Sequence, residues 1–285
     1  MLTDTTSFVR PSHTSKRTLS PSPHSHRNHE AAMSSYPSPP YTPTSPPVVS
    51  PATGLAFWNT HLPPHLHTST CPSYLEYAFT DHRDRACLAA NDSDFTPATW
   101  PDVQRLVRTN ELDGFRRVPS QLRRYREYTA KLKRDHGSIS AFILQERLRW
   151  TDPTPRSTVP FADPTDYKVL FNDWPYGLSA RISHLVIWTK FELTPDPAHP
   201  NLDLTPLARQ QIDSFVNRTF GDRCGRENVL WFKNWRALQS VRALEHFHVM
   251  ILDADAGFLE EVTGGDVAMA ERVGGPGEMG VEGAV

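Results

Sequence analysis

The stretch His246-Phe-His-Val-Met-Ile-Leu252 alternates two imidazoles with apolar side chains and then runs on as pure hydrophobe. Such a run of β-branched, aromatic and aliphatic residues reads as a β-strand, Phe247–Leu252 at its heart. Side chains on a strand alternate, so His246 and His248 share one face while Phe247 and Val249 occupy the other. Three similar runs precede it: Tyr167–Asn172, Leu185–Phe191 and Val229–Lys233. Between the second and third, Thr205-Pro206 opens a helix with Leu204, Ala208, Ile212, Phe215 and Val216 on one side.

Upstream, Thr99-Trp-Pro-Asp102 starts a helix with Val103, Leu106 and Val107 at helical spacing, ending near Asn110. Pro119-Ser120 opens a second, stopped by Gly137. Ser138 caps a third, expected to reach about Trp150. Pro153, Pro155 and Pro160 follow as a linker. The expected fold is therefore α+β: N-terminal helices, then an antiparallel sheet with a crossover helix and helices on one side.

Composition sets the expected limits of this domain at residues 96–254. Thirteen of the 26 prolines and seven of the 13 histidines fall within the first 72 residues. Residues 1–70 are expected to form a disordered Ser/Thr/Pro/His-rich tail, 71–95 a transitional segment and 255–285 a disordered Gly-rich tail. Ser20, Ser22, Ser38, Thr42, Ser45 and Ser50 each precede a proline and could be read by proline-directed kinases; solubility alone would equally explain the tail. Net charge is −2 and selects no partner. Three scattered cysteines without a CxxC pair argue against a disulfide framework or structural zinc. No apolar run has membrane-spanning length and no signal-peptide core is visible, which makes the cytoplasm the expected compartment.

Two features could carry chemistry. Paired imidazoles on one sheet face could bind metal, relay protons or attack an electrophile, or simply be half-buried and satisfied. Metal is disfavoured, because Glu245 points to the opposite face, and no cofactor is expected. Between Arg116 and Arg134 lie eight Lys/Arg against one acid, Glu127. A solvated helix face explains them better than nucleic acid, since no exposed aromatics interleave them.

The succession of strand, Asp173, Pro175, His184-hydrophobic strand, Lys190, helix, strand ending at Asn234, Gln239-Ser240-Val241 and His246-Phe-His-Val resembles the histidine-triad superfamily of nucleotide hydrolases and transferases. The resemblance implies a histidine-triad-like fold in which a histidine attacks an α-phosphorus. It would make His246 the nucleophile and His248 the following histidine. Asp173 would meet a ribose hydroxyl, and Asn234, Gln239 and Ser240 would lie near the phosphate. Leu244 stands where the triad's first histidine would be. A shifted register would make His248 the nucleophile, with Met250 third.

A second resemblance covers more of the chain. His136-Gly-Ser-Ile139 through Glu146-Arg-Leu-Arg-Trp150, Asn172-Asp-Trp-Pro-Tyr-Gly177, His184-Leu-Val-Ile-Trp-Thr-Lys190, and Leu230-Trp-Phe-Lys-Asn-Trp235 with Glu245-His-Phe-His248 resemble the fungal N-acetylglucosamine-induced protein family. That implies a cytosolic fungal protein tied to the amino-sugar response. Whether the chain is an enzyme stays open. In one reading His246, His248, Asp173, Lys190, Asn234, Gln239 and Ser240 bind or turn over a nucleotide or sugar-phosphate ligand. In the other, a non-catalytic regulatory or scaffold protein, the same residues knit the fold.

Overall fold

The computed structural model describes residues 49–50, 53–199 and 203–274, all within the unit Thr42–Val285. The four expected strands are present as β1 (Tyr167–Phe171), β2 (Ile182–Thr189), β3 (Val229–Phe232) and β4 (Glu245–Leu252). They form one antiparallel sheet in the order β1-β2-β4-β3. Eight α-helical segments accompany it among the described residues: α1 (His82–Ala89), α2 (Trp100–Arg108), α3 (Pro119–His136), α4 (Ile139–Phe142), α5 (Pro206–Val216), α6 (Asp222–Cys224), α7 (Ala256–Thr263) and α8 (Met269–Arg272). The chain is thus an α+β protein with N-terminal helices, an antiparallel sheet and a crossover helix, α5. No described helix is long and apolar enough to cross a membrane.

Nearly every residue of the central strands β2 and β4 is buried. A strand apolar on both faces needs a layer on each side. Leu185, Ile187, Phe247, Val249 and Ile251 pack on Ile212 and Phe215 of α5 and Phe258 of α7. The opposite face meets the N-terminal helices. Val103 and Leu106 of α2 lie on Ile182, Phe232 and Met250, while Tyr128 and Leu132 of α3 lie with Val186 and Trp188. Helices on one side was therefore too few. The alternation in β2 and β4 is apolar-apolar, with Val186 and Trp188 as hydrophobic as Leu185 and Ile187.

Local chemistry sets the ends of these elements. Asp102 accepts from the Thr99 amide at 2.9 Å at the start of α2. Pro119 occupies the first turn of α3, where its missing N–H costs nothing, and Gly137 ends the helix at φ 77°. The third helix is shorter than expected: α4 gives way to π-helical turns over Ile143–Leu148, and Arg149 follows in the left-handed region.

The expected domain limits, 96 and 254, are too narrow. Phe57 and Trp58 are each 1% exposed and pack with Leu75, Ala78 and Leu88 against Leu122 of α3. An apolar cluster thus sits inside a stretch whose average composition is Pro- and His-rich. Ser50, expected among the kinase sites, is buried, with its hydroxyl donating to the Ala89 carbonyl. The other five Ser/Thr-Pro sites lie outside the described residues, as do residues 1–48. At the other end, Asp255 caps α7 by accepting from the Phe258 amide at 2.9 Å, and α8 follows where a tail was expected. Residues 275–285 lie outside the described residues.

The basic helix is not simply a solvated face. Arg123 is buried, donating to the Trp58 carbonyl and to the Tyr74 hydroxyl at 3.0 Å. Arg124 donates to the carbonyls of Ala270, Val273 and Gly274, and Arg126 pairs with Asp84 at 2.7 Å. These cations tie both flanking segments onto α3.

Candidate functional site

The β2–β4 register puts Trp188 opposite His246, Val186 opposite His248 and His184 opposite Met250. Directly paired residues of an antiparallel sheet share a face, so three histidines converge on the side covered by the N-terminal helices. His184 and His248 meet across the strands, His184 Nε2 to His248 Nδ1 at 3.0 Å. Asn172 lies beside this pair: its Oδ1 accepts from the Trp174 amide at 2.9 Å, and its Nδ2 stands 3.1 Å from His184 Nε2 and 3.5 Å from His184 Nδ1. One proton is shared between His184 Nε2 and His248 Nδ1.

On the far side of His248, Asn234 Nδ2 lies 3.2 Å from Nε2. The same amide nitrogen donates to the Tyr176 hydroxyl at 3.3 Å, while Asn234 Oδ1 is buried without a partner among the described residues. Gln239 steadies this loop by donating to the Asn234 carbonyl at 2.8 Å. His246 stands outside the chain of bonds. Its Nδ1 donates to the Leu244 carbonyl at 2.8 Å, which leaves the Nε2 lone pair without a donor among the described residues. Its ring lies over Trp188, centroids 4.6 Å apart.

All three rings are buried. Burial drives the His246 pKa down to about 4, with the nearby Lys233 charge adding to it. Burial and the Arg117 charge bring His184 to about 3. His248 falls well below 6.5, through burial and then its imidazole neighbours and Arg117. The cluster is neutral near pH 7. Among the described residues, no group of three or more His, Cys, Asp and Glu could hold a metal ion.

A cleft of about 490 Å³ opens over this face, and His246, His248, Asn234, Gln239 and Ser240 all border it. The other two expected site residues are Lys190 and Asp173. Lys190 is absent from the lining; it follows the end of β2 with Nζ 5.5 Å from the centre of the Trp150 ring. Asp173 borders the cleft, but Arg147 grips its carboxylate at 2.8 Å and the Met269 amide donates to it at 3.2 Å. Arg147 also forks onto Asp266 at 2.7 and 2.8 Å. Desolvation outweighs these partners and raises the Asp173 pKa. This carboxylate anchors α8 from the border of the cleft.

Four residues of the site had no assigned role in the sequence reading: His184, Asn172, Tyr176 and Arg117. His184 sat in a quoted motif, but only strand pairing brings it beside His248. The third histidine thus comes from β2 and not from position 244.

Fold and site together define an α+β protein with a neutral histidine cluster on the floor of a cleft. The chain belongs to the family described as protein of unknown function (DUF3605), whose model matches residues 99–252. Two fungal proteins are among its relatives, in line with the sequence resemblance. N-acetylglucosamine-induced protein 1 of Candida albicans is 28% identical over 187 residues, 59% of this chain and 74% of that protein. An uncharacterized protein of Saccharomyces cerevisiae, YPL067C, is 28% identical over 160 residues, 53% of this chain and 77% of that protein. Among solved structures, the crystal structure of HTC1 aligns with a TM-score of 0.49 and 22% identity, over 58% of this chain and 95% of that one.

Proposed function

We propose that the cleft binds a phosphorylated or nucleotide-linked ligand and that His246 is its nucleophile. The observation that carries this reading is the tautomer of His246. A backbone carbonyl holds the proton on Nδ1, the ring is neutral, and Nε2 keeps its lone pair on a residue that borders the cleft. A nucleophilic imidazole needs all three conditions.

In the step, Nε2 attacks phosphorus and forms a P–N bond. The bond from phosphorus to the leaving group breaks, and its electron pair departs with that group, which takes up a proton. The imidazolium that results is stabilised by the Nδ1–H bond to the Leu244 carbonyl. Water then attacks phosphorus, the P–N bond breaks with its electron pair returning to Nε2, and the proton that water loses to solvent balances the one the leaving group took from solvent, which restores neutral His246. The Asn234 amide and the Gln239 and Ser240 side chains border the same cleft, where developing phosphate charge would need donors.

Both nitrogens of His248 are engaged, by His184 and by Asn234. This favours a positioning role for His248 and counts against the shifted register. The scaffold reading draws on the same pair, since two mutually satisfied imidazoles also suit a structural core. The Candida relative's name speaks of induction by N-acetylglucosamine, and the proposed ligand class includes phosphorylated and nucleotide-linked forms of such a sugar.

Turnover of adenosine 5′-phosphoramidate separates the two readings. His246→Asn is expected to lower kcat by about 10³-fold or more with little change in KM, because the lost interaction exists in the transition state. His248→Asn is expected to do less. Equal turnover by wild type and both variants would overturn the nucleophile role.

A further inference from the structure

The cleft holds a guanidinium without a counter-charge. Of the charged residues around it, Arg83 pairs with Asp113 at 3.5 Å, Arg126 with Asp84 at 2.7 Å, and Asp173 with Arg147 at 2.8 Å. Asp81 is committed to capping α1, accepting from the amides of Arg83 and Asp84. Arg116 is exposed. Arg117 is half-buried and has no carboxylate within ion-pair distance among the described residues.

Its position is nonetheless tightly held. Arg117 Nε donates to the Trp174 carbonyl at 3.1 Å. Its guanidinium carbon sits 4.1 Å from the Tyr125 ring centre and 5.3 Å from that of Tyr176. Tyr176 in turn stacks on His184, centroids 5.2 Å apart, and its hydroxyl accepts from Asn234. The guanidinium therefore stands one ring away from the histidine cluster, and its charge opposes protonation of His184 and His248. The Nε edge is used; neither terminal nitrogen donates a hydrogen bond among the described residues.

A stacked, half-desolvated arginine with an unused fork is arranged for a planar pair of anionic oxygens. With the three imidazoles neutral, it is a fixed cation of the cleft lining against which a ligand's negative charge can be set. We infer that Arg117 is the anion-binding residue of the cleft, taking the phosphoryl oxygens of a phosphomonoester or nucleotide on its free edge while Tyr125 and the Trp174 carbonyl hold its plane. This rests on the reading of the cleft as a phosphate-ester site and narrows the ligand class from neutral sugars and nucleosides to their phosphorylated forms.

Calorimetric binding of AMP and adenosine to the full chain tests it, with wild type, Arg117→Gln and Arg117→Lys compared. Arg117→Gln is expected to weaken AMP about 10- to 100-fold, the range for a charge-assisted hydrogen bond, and to leave adenosine unchanged. Arg117→Lys, which keeps the charge but loses the fork, should fall between. It decides the matter should Arg117→Gln fail to fold: an AMP-specific loss supports the assignment and wild-type affinity overturns it. Equal proportional losses of AMP and adenosine in the Arg117 variants would reduce Arg117 to a packing residue. Undiminished AMP binding by Arg117→Gln overturns this inference alone, whereas a wild-type chain that binds neither compound overturns the phosphate-ester reading as well.

Discussion

His246, His184 and His248 each lose proton affinity on folding, and that makes the folded chain acid-sensitive in a defined direction. An unfolded histidine takes up its proton near pH 6.5, whereas folded His246 resists until about pH 4. Between these values the unfolded state binds more protons, so stability falls as the pH drops. The contribution is complete above pH 6.5 and spent below about 4, and the shifts of His184 and His248 act in the same direction. The melting temperature is expected to hold level above pH 7 and decline from 6.5 towards 4. His246→Asn, one titrating group fewer, should flatten that decline. Superimposable acid limbs would show that His246 is not protected by burial. That His246 and His248 share a face was legible in the sequence, because strand alternation is a local rule. The partnership of His184 with His248 was not, because it depends on which strands pair and in what register.

The four strands, α2, α3 and α5 were all readable from periodicity, caps and prolines, with limits a few residues off. Strand Ile182–Thr189 begins three residues earlier than Leu185, since Ser183 and His184 dilute its apolar signal. What periodicity could not supply was the order β1-β2-β4-β3, or a second helical layer on the histidine face. Phe247 marks the other layer: fully buried, it packs edge-on against Phe161, Phe215 and Trp231. Phe247→Ala is expected to cost ~3–5 kcal/mol in denaturant unfolding, as a large truncation in a packed core. Trp231→Ala should cost less, because Trp231 is only partly buried and its indole N–H reaches the Asp213 carboxylate near the surface. An unchanged unfolding midpoint for Phe247→Ala would mean that the faces of β4 are assigned the wrong way round.

At the scale of the whole molecule, segments far apart in sequence are tied to α3 and to the helical turns that follow it. Arg123 draws the Phe57–Trp58 cluster onto α3, Arg124 draws in the carbonyls of 270–274, and Arg147 joins Asp173 to Asp266. These ties were invisible in the sequence, where eight basic residues in nineteen positions read as a solvated face and a Pro-rich stretch read as tail. Their effect is to roof the histidine face of the sheet, which keeps the imidazoles neutral and leaves Nε2 of His246 as the one ring nitrogen of that residue not spent on the backbone. The most direct measurement is to incubate the full chain with adenosine 5′-phosphoramidate, quench under alkaline conditions that preserve phosphorus–nitrogen bonds, and map the adduct by mass spectrometry. The expected result is an adenylyl group on the peptide bearing His246 in wild type, absent from His246→Asn. An adduct that persists in His246→Asn, or wild-type turnover that proceeds with no histidine adduct at all, would contradict it.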